Sequence, residues 1–259
     1  MPSKLVTIVV PSYNQGVYLD QCLDSIFAQN IPVEVFVMDG GSTDNTLEVI
    51  KKWEYKLGGW RSRKDEGQSA AINEGMKLGT APYCCWLNSD DYFLENCLSL
   101  LVEAMGNNPE APVVYGKVYN YIEKTKVFNK IWVEQFNQHR LAIRCIISQP
   151  GTLIRRNVWE GVVGLNTNLY MSMDYELWWK IYKSYGDFKF IDTFVAVNRD
   201  HLETKTNSKR ALHYKESMQI VKSFYGSIPI KWYLLQPYSI WFKALMNYIG
   251  KRSTNSSIS

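Results

Sequence analysis

The sequence predicts an α/β protein in which a mostly parallel sheet is flanked by helices, and three observations carry that prediction. Short apolar runs at residues 5–10, 33–38 and 83–87 alternate with segments of helical periodicity, the pattern of repeated βαβ units. The runs are apolar on both faces, so each strand is covered on both sides, as parallel strands are. Each run also stops at a polar loop, and those loops carry Asn14, Asp39 and Asp90. Parallel strands bring such loops to one edge of the sheet, where open α/β sheets bind ligands.

Taken in order, residues 5–10 form a β-branched first strand closed by Pro11, followed by the polar loop Ser12-Tyr13-Asn14-Gln15-Gly16. Leu19, Cys22, Leu23, Ile26 and Phe27 recur at helical spacing and lay a helix on the sheet. The second strand ends in Asp39-Gly40-Gly41-Ser42-Thr43-Asp44. Its glycines permit a tight turn, and Ser42 or Thr43 is expected to cap a helix carrying Leu47, Ile50 and Trp53. Residues 60–63 form a weaker third strand. Residues 68–78 form a helix that offers Ala70, Ala71, Ile72, Met76 and Leu78 for packing, and 83–87 form the fourth strand. Short loops between these elements give right-handed βαβ connections. Beyond a helix at 98–105, alternation across 113–127 about Glu123-Lys124 predicts a hairpin. Residues 135–147 fit no single pattern. Ser148-Gln149-Pro150-Gly151-Thr152 leads into a short apolar run, and 170–179 opens a helix with a core face of Leu177, Trp178 and Ile181. Residues 188–197 are strand-like and run into Asn198-Arg199-Asp200-His201; 208–225 form a further helix.

The composition is that of an ordinary globular protein, 46% hydrophobic and 21% charged, and a net charge of +4 is too small to point to nucleic acid. Five cysteines, odd in number and without CxxC spacing, are expected to be buried free thiols in a reducing compartment. There is no signal-peptide pattern, and no stretch approaches the ~18 apolar residues of a spanning helix. A cytoplasmic protein is expected.

The fourth strand runs straight into Asn88-Ser89-Asp90-Asp91. Two hard oxygen donors at a sheet edge suit Mg²⁺ or Mn²⁺ together with phosphate oxygens; the same pair also reads as a strand-to-helix turn with Asp as N-cap. No GxGxxG or GxxxxGK[ST] loop follows the first strand, which argues against dinucleotide binding of the Rossmann type and against P-loop hydrolysis. HExxH and GxSxG are absent as well.

Across 5–201 the ordered set of motifs resembles the family-2, GT-A-type inverting glycosyltransferases, and most closely the bacterial O-antigen and exopolysaccharide branch, in which a QPG stretch precedes DYELW. The resemblance implies a GT-A fold (Rossmann-like, mostly parallel sheet flanked by helices) over residues 1–204, a C-terminal helical, aromatic-rich extension over 205–252, and a disordered tail at 253–259. It implies that Pro11, Tyr13 and Asn14 bind the nucleotide, with the Tyr13 ring against the base. Asp39 would accept from a base imino group, which favours uracil or thymine over cytosine and so a UDP- or dTDP-sugar, the UDP-sugar being the expected donor. Asp65-Glu66-Gly67-Gln68-Ser69-Ala70-Ala71-Ile72-Asn73 matches the segment over the nucleotide and donor sugar, placing Gly67, Gln68 and Asn73 among the binding residues. The family's DxDD stands here as Asn88-Ser89-Asp90-Asp91. Asn88 and Ser89 would then face the nucleotide, Asp90 would bind the metal, and Asp91 would support it or cap the next helix. Asp174 matches the general base, its helix start favouring the carboxylate form, with Glu176 as the fallback. His201 matches a late histidine that completes the metal shell or touches the diphosphate.

The expected reaction is metal-dependent transfer of one sugar, with inversion, from a nucleoside-diphosphate sugar to a hydroxyl of a saccharide or lipid-linked saccharide, with Mn²⁺ or Mg²⁺ as cofactor. Lack of a QxxRW motif argues against processive synthesis. The alternative is a catalytically silent GT-A-like subunit that binds a nucleotide sugar or scaffolds an assembly, and Asn88 is its one hint. Segment 228–252, dense in Trp and Tyr with Lys231, Lys243, Lys251 and Arg252, leaves two readings open. It is either a helix packed on the core or on a homodimer partner, or an interfacial helix holding the protein at the inner face of the cytoplasmic membrane.

Overall fold

The computed structural model describes residues 3–201 and 209–236. Its first half is a run of βαβ units. β1 (Val6–Ser12), β2 (Val33–Asp39), β3 (Gly59–Ser62) and β4 (Tyr83–Trp86) alternate with α1 (Gly16–Phe27), α2 (Thr46–Trp53) and α3 (Gln68–Leu78). β1 pairs in parallel with β2 on one side and β4 on the other, and β2 pairs with β3. The register Ser12↔Asp39 brings the first two polar loops side by side. β1 is buried along its whole length, as its two-faced apolar pattern requires. α3 lies close on β1 because Gly75 has no side chain: a Cβ there would sit 2.6 Å from Val9 Cγ1.

The second half is mixed. After β5 (Tyr92–Phe93) and α4 (Cys97–Gly106) come the hairpin strands β6 (Val113–Ile122) and β7 (Val127–Lys130). Then follow α5 (Gln138–Ile143), β8 (Thr152–Arg155), α6 (Arg156–Gly161), α7 (Met173–Tyr185) and β9 (Lys189–Asp200). The sheet order is β3-β2-β1-β4-β8-β6-β9-β5, with β7 paired to β6. β8 runs antiparallel to both β4 and β6, whereas β9 runs parallel to β6 and antiparallel to β5. This wiring positions the site. Pairing of Tyr92 with Val197 returns the end of β9 to the loop that leaves β4.

Apolar side chains cover both faces of the sheet. One layer gathers Met38, Ile72, Trp86, Leu177 and Trp178, the other Leu23, Ile26, Ile50, Leu98 and Leu101. Burial of each such side chain is worth about 1.5–3 kcal/mol. The Trp86 and Trp178 rings stack at 6.2 Å between centroids and an interplanar angle of 13°. α7 buries more than its expected face, since Tyr175 and Trp179 are enclosed alongside Leu177, Trp178 and Ile181. The reason is α8 (Arg210–Tyr225), which lies on its outer side and stacks Phe224 on Trp179. Two local expectations are corrected. Leu78, the last residue of α3, is exposed. Neither Ser42 nor Thr43 caps α2: the Ser42 hydroxyl is drawn to Asp39, and the Thr46 N–H is taken by Asp44.

α9 (Ile230–Gln236) begins the aromatic C-terminal segment. Trp232 packs inward there, donating from Nε1 to the Ala142 carbonyl at 2.8 Å and meeting the Tyr214 ring, while Tyr233 and Leu234 are exposed. The rest of segment 228–252, the boundary at 204/205 and the tail at 253–259 lie outside the described residues. Among the described residues no helix is long and apolar enough to cross a membrane, and all five cysteines are free.

Candidate active site

A cleft of about 1220 Å³ opens over the carboxyl ends of β1, β2 and β4 and is closed on its far side by the start of α7. Pro11, Tyr13, Asn14, Gly67, Gln68, Asn88, Ser89, Asp90, Asp91 and Asp174 all line it. The sheet thus brings together residues spread across more than 160 positions, as its parallel half predicts.

One wall is built by the β1 and β2 loops bracing each other. Asn14 holds a left-handed backbone (φ 52°), which Asn tolerates better than most residues. Its N–H donates to Ser42 Oγ at 2.7 Å, and its Oδ1 accepts the Thr43 N–H at 2.8 Å. Tyr13 lies over Gly40 and is 62% exposed, so one ring face is free to meet a flat group. Asp39 sits beneath this wall, fully buried and outside the cleft lining. Its carboxylate accepts from the N–H groups of Gly41 and Ser42 and from the hydroxyls of Ser42 and Ser62. In this geometry Asp39 shapes the loop that carries Tyr13's neighbour Gly40. Asn73 is likewise turned away: its side-chain amide clamps both backbone groups of Leu165, at 2.8 and 2.9 Å.

The floor is the acidic cluster. Asn88 Oδ1 accepts from Gln68 Nε2 at 2.7 Å, and its Nδ2 donates to Asp91 Oδ2 at 3.2 Å. Asp91 is buried and takes the Arg199 N–H on its other oxygen at 2.9 Å. It therefore supports the cluster and caps no helix. Burial, followed by the charge of Asp90, pushes the Asp91 carboxyl well above the usual carboxylate range. Asp90 keeps a partly exposed side chain, and its Oδ2 faces His201 Nε2 at 3.0 Å. His201 is delivered by the end of β9 and packs on the Tyr18 ring.

Arg199 also belongs to this floor. It is buried, donates from Nε to the Asp90 carbonyl at 3.0 Å, and is surrounded by Tyr18, Tyr92 and Tyr121. The sequence offers Arg199 only as part of the stretch Asn198-Arg199-Asp200-His201; its reach to Asp90 depends on the pairing of β5 with β9.

His201 is buried and outside the cleft lining, so only Asp90 of the pair reaches the cleft; a carboxylate oxygen there with an imidazole nitrogen behind it fits a hard divalent ion such as Mn²⁺ or Mg²⁺. Among the described residues no group of three or more His, Cys, Asp or Glu forms a closed metal cage. A two-residue site is what such ions use when substrate phosphates and water supply the other ligands.

The opposite wall holds Asp174, on the first turn of α7, whose carboxylate accepts the Tyr175 N–H at 2.8 Å. Burial outweighs that bond and raises the Asp174 carboxyl above the ordinary aspartate range, a correction to the expectation that the helix start would dominate. His213 of α8 also lines the cleft; burial lowers its basicity, against the opposing charges of Asp174 and Glu216. Glu176 points elsewhere, toward Lys180 and Asn166, and does not line the cleft. Two exposed rings, Trp132 and Tyr170, flank this wall, and the Arg144 guanidinium lies over Trp132. None of His213, Trp132 or Tyr170 carries a local motif, because the first arrives through α8 and the others from irregular segments.

Residues 7–175 match the family model for glycosyl transferase family 2. Chondroitin synthase of Escherichia coli is 23% identical over 236 residues, which cover 90% of this chain and 34% of that protein. The chain thus spans about a third of the length of that curated relative. S. aureus TarS 1-349 in complex with UDP-GlcNAc superposes with a TM-score of 0.67 at 18% identity, covering 87% of this chain and 67% of that one. Mannosyltransferase PcManGT from Pyrobaculum calidifontis in complex with GDP-Man and Mn²⁺ gives 0.66 at 17% identity, covering 94% and 74%. The structural likenesses establish the fold. With the family model spanning well over half of its length, the chain belongs to glycosyl transferase family 2 and has a GT-A-type architecture.

Proposed function

We propose that this cleft transfers a single sugar, with inversion at the anomeric carbon, from a uridine-diphosphate sugar to a hydroxyl of a saccharide or lipid-linked saccharide acceptor in surface polysaccharide synthesis. The observation that carries this reading is the meeting of Asp90 and Asp174 at one cleft, contributed by different elements, with buried His201 against Asp90 from behind the lining. TarS, bound to UDP-GlcNAc, supports a uridine donor.

In this mechanism the donor base lies against the exposed face of Tyr13, on the loop held by Asn14 and Asp39. Asn88, with Gln68, offers polar atoms to the ribose. Asp90 and His201 would hold Mn²⁺ or Mg²⁺, which when bound supplies positive charge beside the departing diphosphate. PcManGT, bound to GDP-Man and Mn²⁺, supports that cofactor. The acceptor enters between Trp132 and Tyr170, whose exposed rings offer apolar faces to a saccharide. Asp174 removes the proton of the attacking hydroxyl as the new glycosidic bond forms and the bond to the diphosphate breaks. Its raised pKa makes it a stronger base than an ordinary aspartate, and help of this kind is worth about 10²–10⁴-fold in rate. A cytoplasmic setting suits the free cysteines.

The test is donor breakdown. Wild-type protein incubated with Mn²⁺ and separately with UDP-GlcNAc, UDP-glucose, UDP-galactose and GDP-mannose should release UDP from at least one uridine donor. Binding of UDP without release from any donor would point instead to a silent nucleotide-sugar-binding subunit. Release of GDP alone would overturn the choice of nucleotide.

A further inference from the structure

We propose that Glu216, on α8 and beyond the family-matched segment 7–175, is a positioning residue that sets the placement of Asp174; this rests on the reading of Asp174 as the base. Glu216 is 7% exposed, and its carboxylate gathers three successive backbone N–H groups immediately ahead of α7. Tyr170 donates to Oε1 at 3.1 Å, and Met171 and Ser172 both donate to Oε2 at 2.9 Å. The Ser172 hydroxyl lies 3.0 Å from Ser217 Oγ and 3.3 Å from the His213 carbonyl. Asp174 follows two residues later.

Three features argue that placement, and not cohesion, is the task of this carboxylate. α8 already has apolar contacts to hold it on α7, through Phe224 on Trp179 and through buried Ile220 and Val221. Taking a carboxylate out of water is costly, and no ion pair of Glu216 occurs among the described residues, so its charge is met by N–H dipoles. Those donors lie at the N-cap Ser172 of α7 and on the two residues before it, and a carboxylate makes short, charge-assisted bonds to such N–H groups. On its other flank the same segment is tied to the donor side, with Ser69 Oγ on Met173 Sδ at 2.7 Å. The backbone before Asp174 is therefore gripped from two sides, and one grip comes from a helix outside the family-matched region.

Displacing a reacting group by about 1 Å costs up to about 10²-fold in rate. Glu216→Gln keeps the shape, removes the charge, and turns an NH₂ group toward backbone donors; Glu216→Asp keeps the charge and shortens the reach. Full-length wild type, both variants and Asp174→Asn would be compared for UDP release from the best uridine donor with Mn²⁺, for KM, and for UDP affinity by calorimetry. The expected result for Glu216→Gln is a fall in kcat of about 10–100-fold, with donor KM and UDP affinity within about twofold of wild type, and an intermediate kcat for Glu216→Asp. A purely structural role would instead reduce the amount of active protein in parallel with UDP-binding sites, leaving kcat per site unchanged, and would overturn the proposal. If Glu216→Gln does not fold, Glu216→Asp decides through amide exchange: faster exchange at 170–172 with wild-type kcat overturns it. Full activity in Asp174→Asn would sink the reading of the base itself. Loss there, with wild-type turnover in both Glu216 variants, would sink this proposal alone.

Discussion

The two walls of the cleft are built by different means. The wall proposed to hold the donor is made of turns that immediately follow β1, β2 and β4, braced within one turn by Asp39 to Ser42 and between adjacent turns by Asn14 to Thr43. Its geometry is set where parallel strands end. The wall proposed to carry the base is not a turn that follows a strand end. Asp174 stands at the head of α7, and the preceding backbone is held by Glu216 from α8, more than forty positions along the chain. A site made of sheet-edge turns inherits the rigidity of the sheet, whereas one made at a helix start depends on what packs against it. The donor wall should therefore tolerate changes elsewhere in the chain, and the base wall should register them.

The largest break in this comparison is chemical. Asp174→Asn is expected to lower turnover by about 10²–10⁴-fold while leaving UDP affinity intact in calorimetry. The same residue has a pH signature. Because burial raises its carboxyl, the acidic limb of kcat should fall at a higher pH than the ordinary aspartate value of about 3.9. The stability sign is opposite to that of a paired carboxylate. A raised folded-state pKa makes the charged form a cost that appears as pH rises through the aspartate range. Asp174→Asn should thus melt higher than wild type at neutral pH, and the gain should vanish below about pH 3.9.

Next in size is the shared core. Trp178→Ala removes a fully buried ring stacked on Trp86 and should cost about 3–5 kcal/mol in denaturant unfolding. It should depress both walls together, since Trp178 lies on α7 and Trp86 ends β4. Smaller still is Asn73→Ala. It leaves both backbone groups of Leu165 without their partner and should cost about 1–3 kcal/mol. UDP affinity should not change, because Asn73 faces away from the cleft. A loss of UDP binding without a loss of stability would place Asn73 back among the donor contacts.

The same contrast explains what could be read in advance. The first four strands, their order along the chain and the residues at their ends were legible because each is a local pattern: an apolar run, a turn signal, then a carboxylate or amide. Asp90 could be named for that reason and Asp174 through the family resemblance of its DYELW stretch, while the helix face of Leu177, Trp178 and Ile181 followed from spacing alone. The mixed half was legible as a hairpin, a short apolar run after Thr152 and a strand at 188–197, but not in its pairing, and strands as short as Tyr92–Phe93 carry no periodicity of their own. Arg199 reaches Asp90 through the pairing of β5 with β9, and Glu216 reaches residues 170–172 through helix packing. Neither contact has a local sequence signal. Asp39 and Ser42 show a competition that pattern reading missed. A buried carboxylate captured a hydroxyl that looked free to cap a helix. At Asp174 burial and the helix start compete, and burial prevails.

The central claim is that Asp90 serves the donor and Asp174 serves the acceptor. Titrating UDP into wild type, Asp90→Ala and Asp174→Asn by calorimetry, with and without Mn²⁺, tests it most directly. The account predicts that Mn²⁺ strengthens UDP binding to wild type and to Asp174→Asn alike, and that this increment is lost in Asp90→Ala. An undiminished Mn²⁺ increment in Asp90→Ala, or its loss in Asp174→Asn, would contradict the division of labour between the two walls.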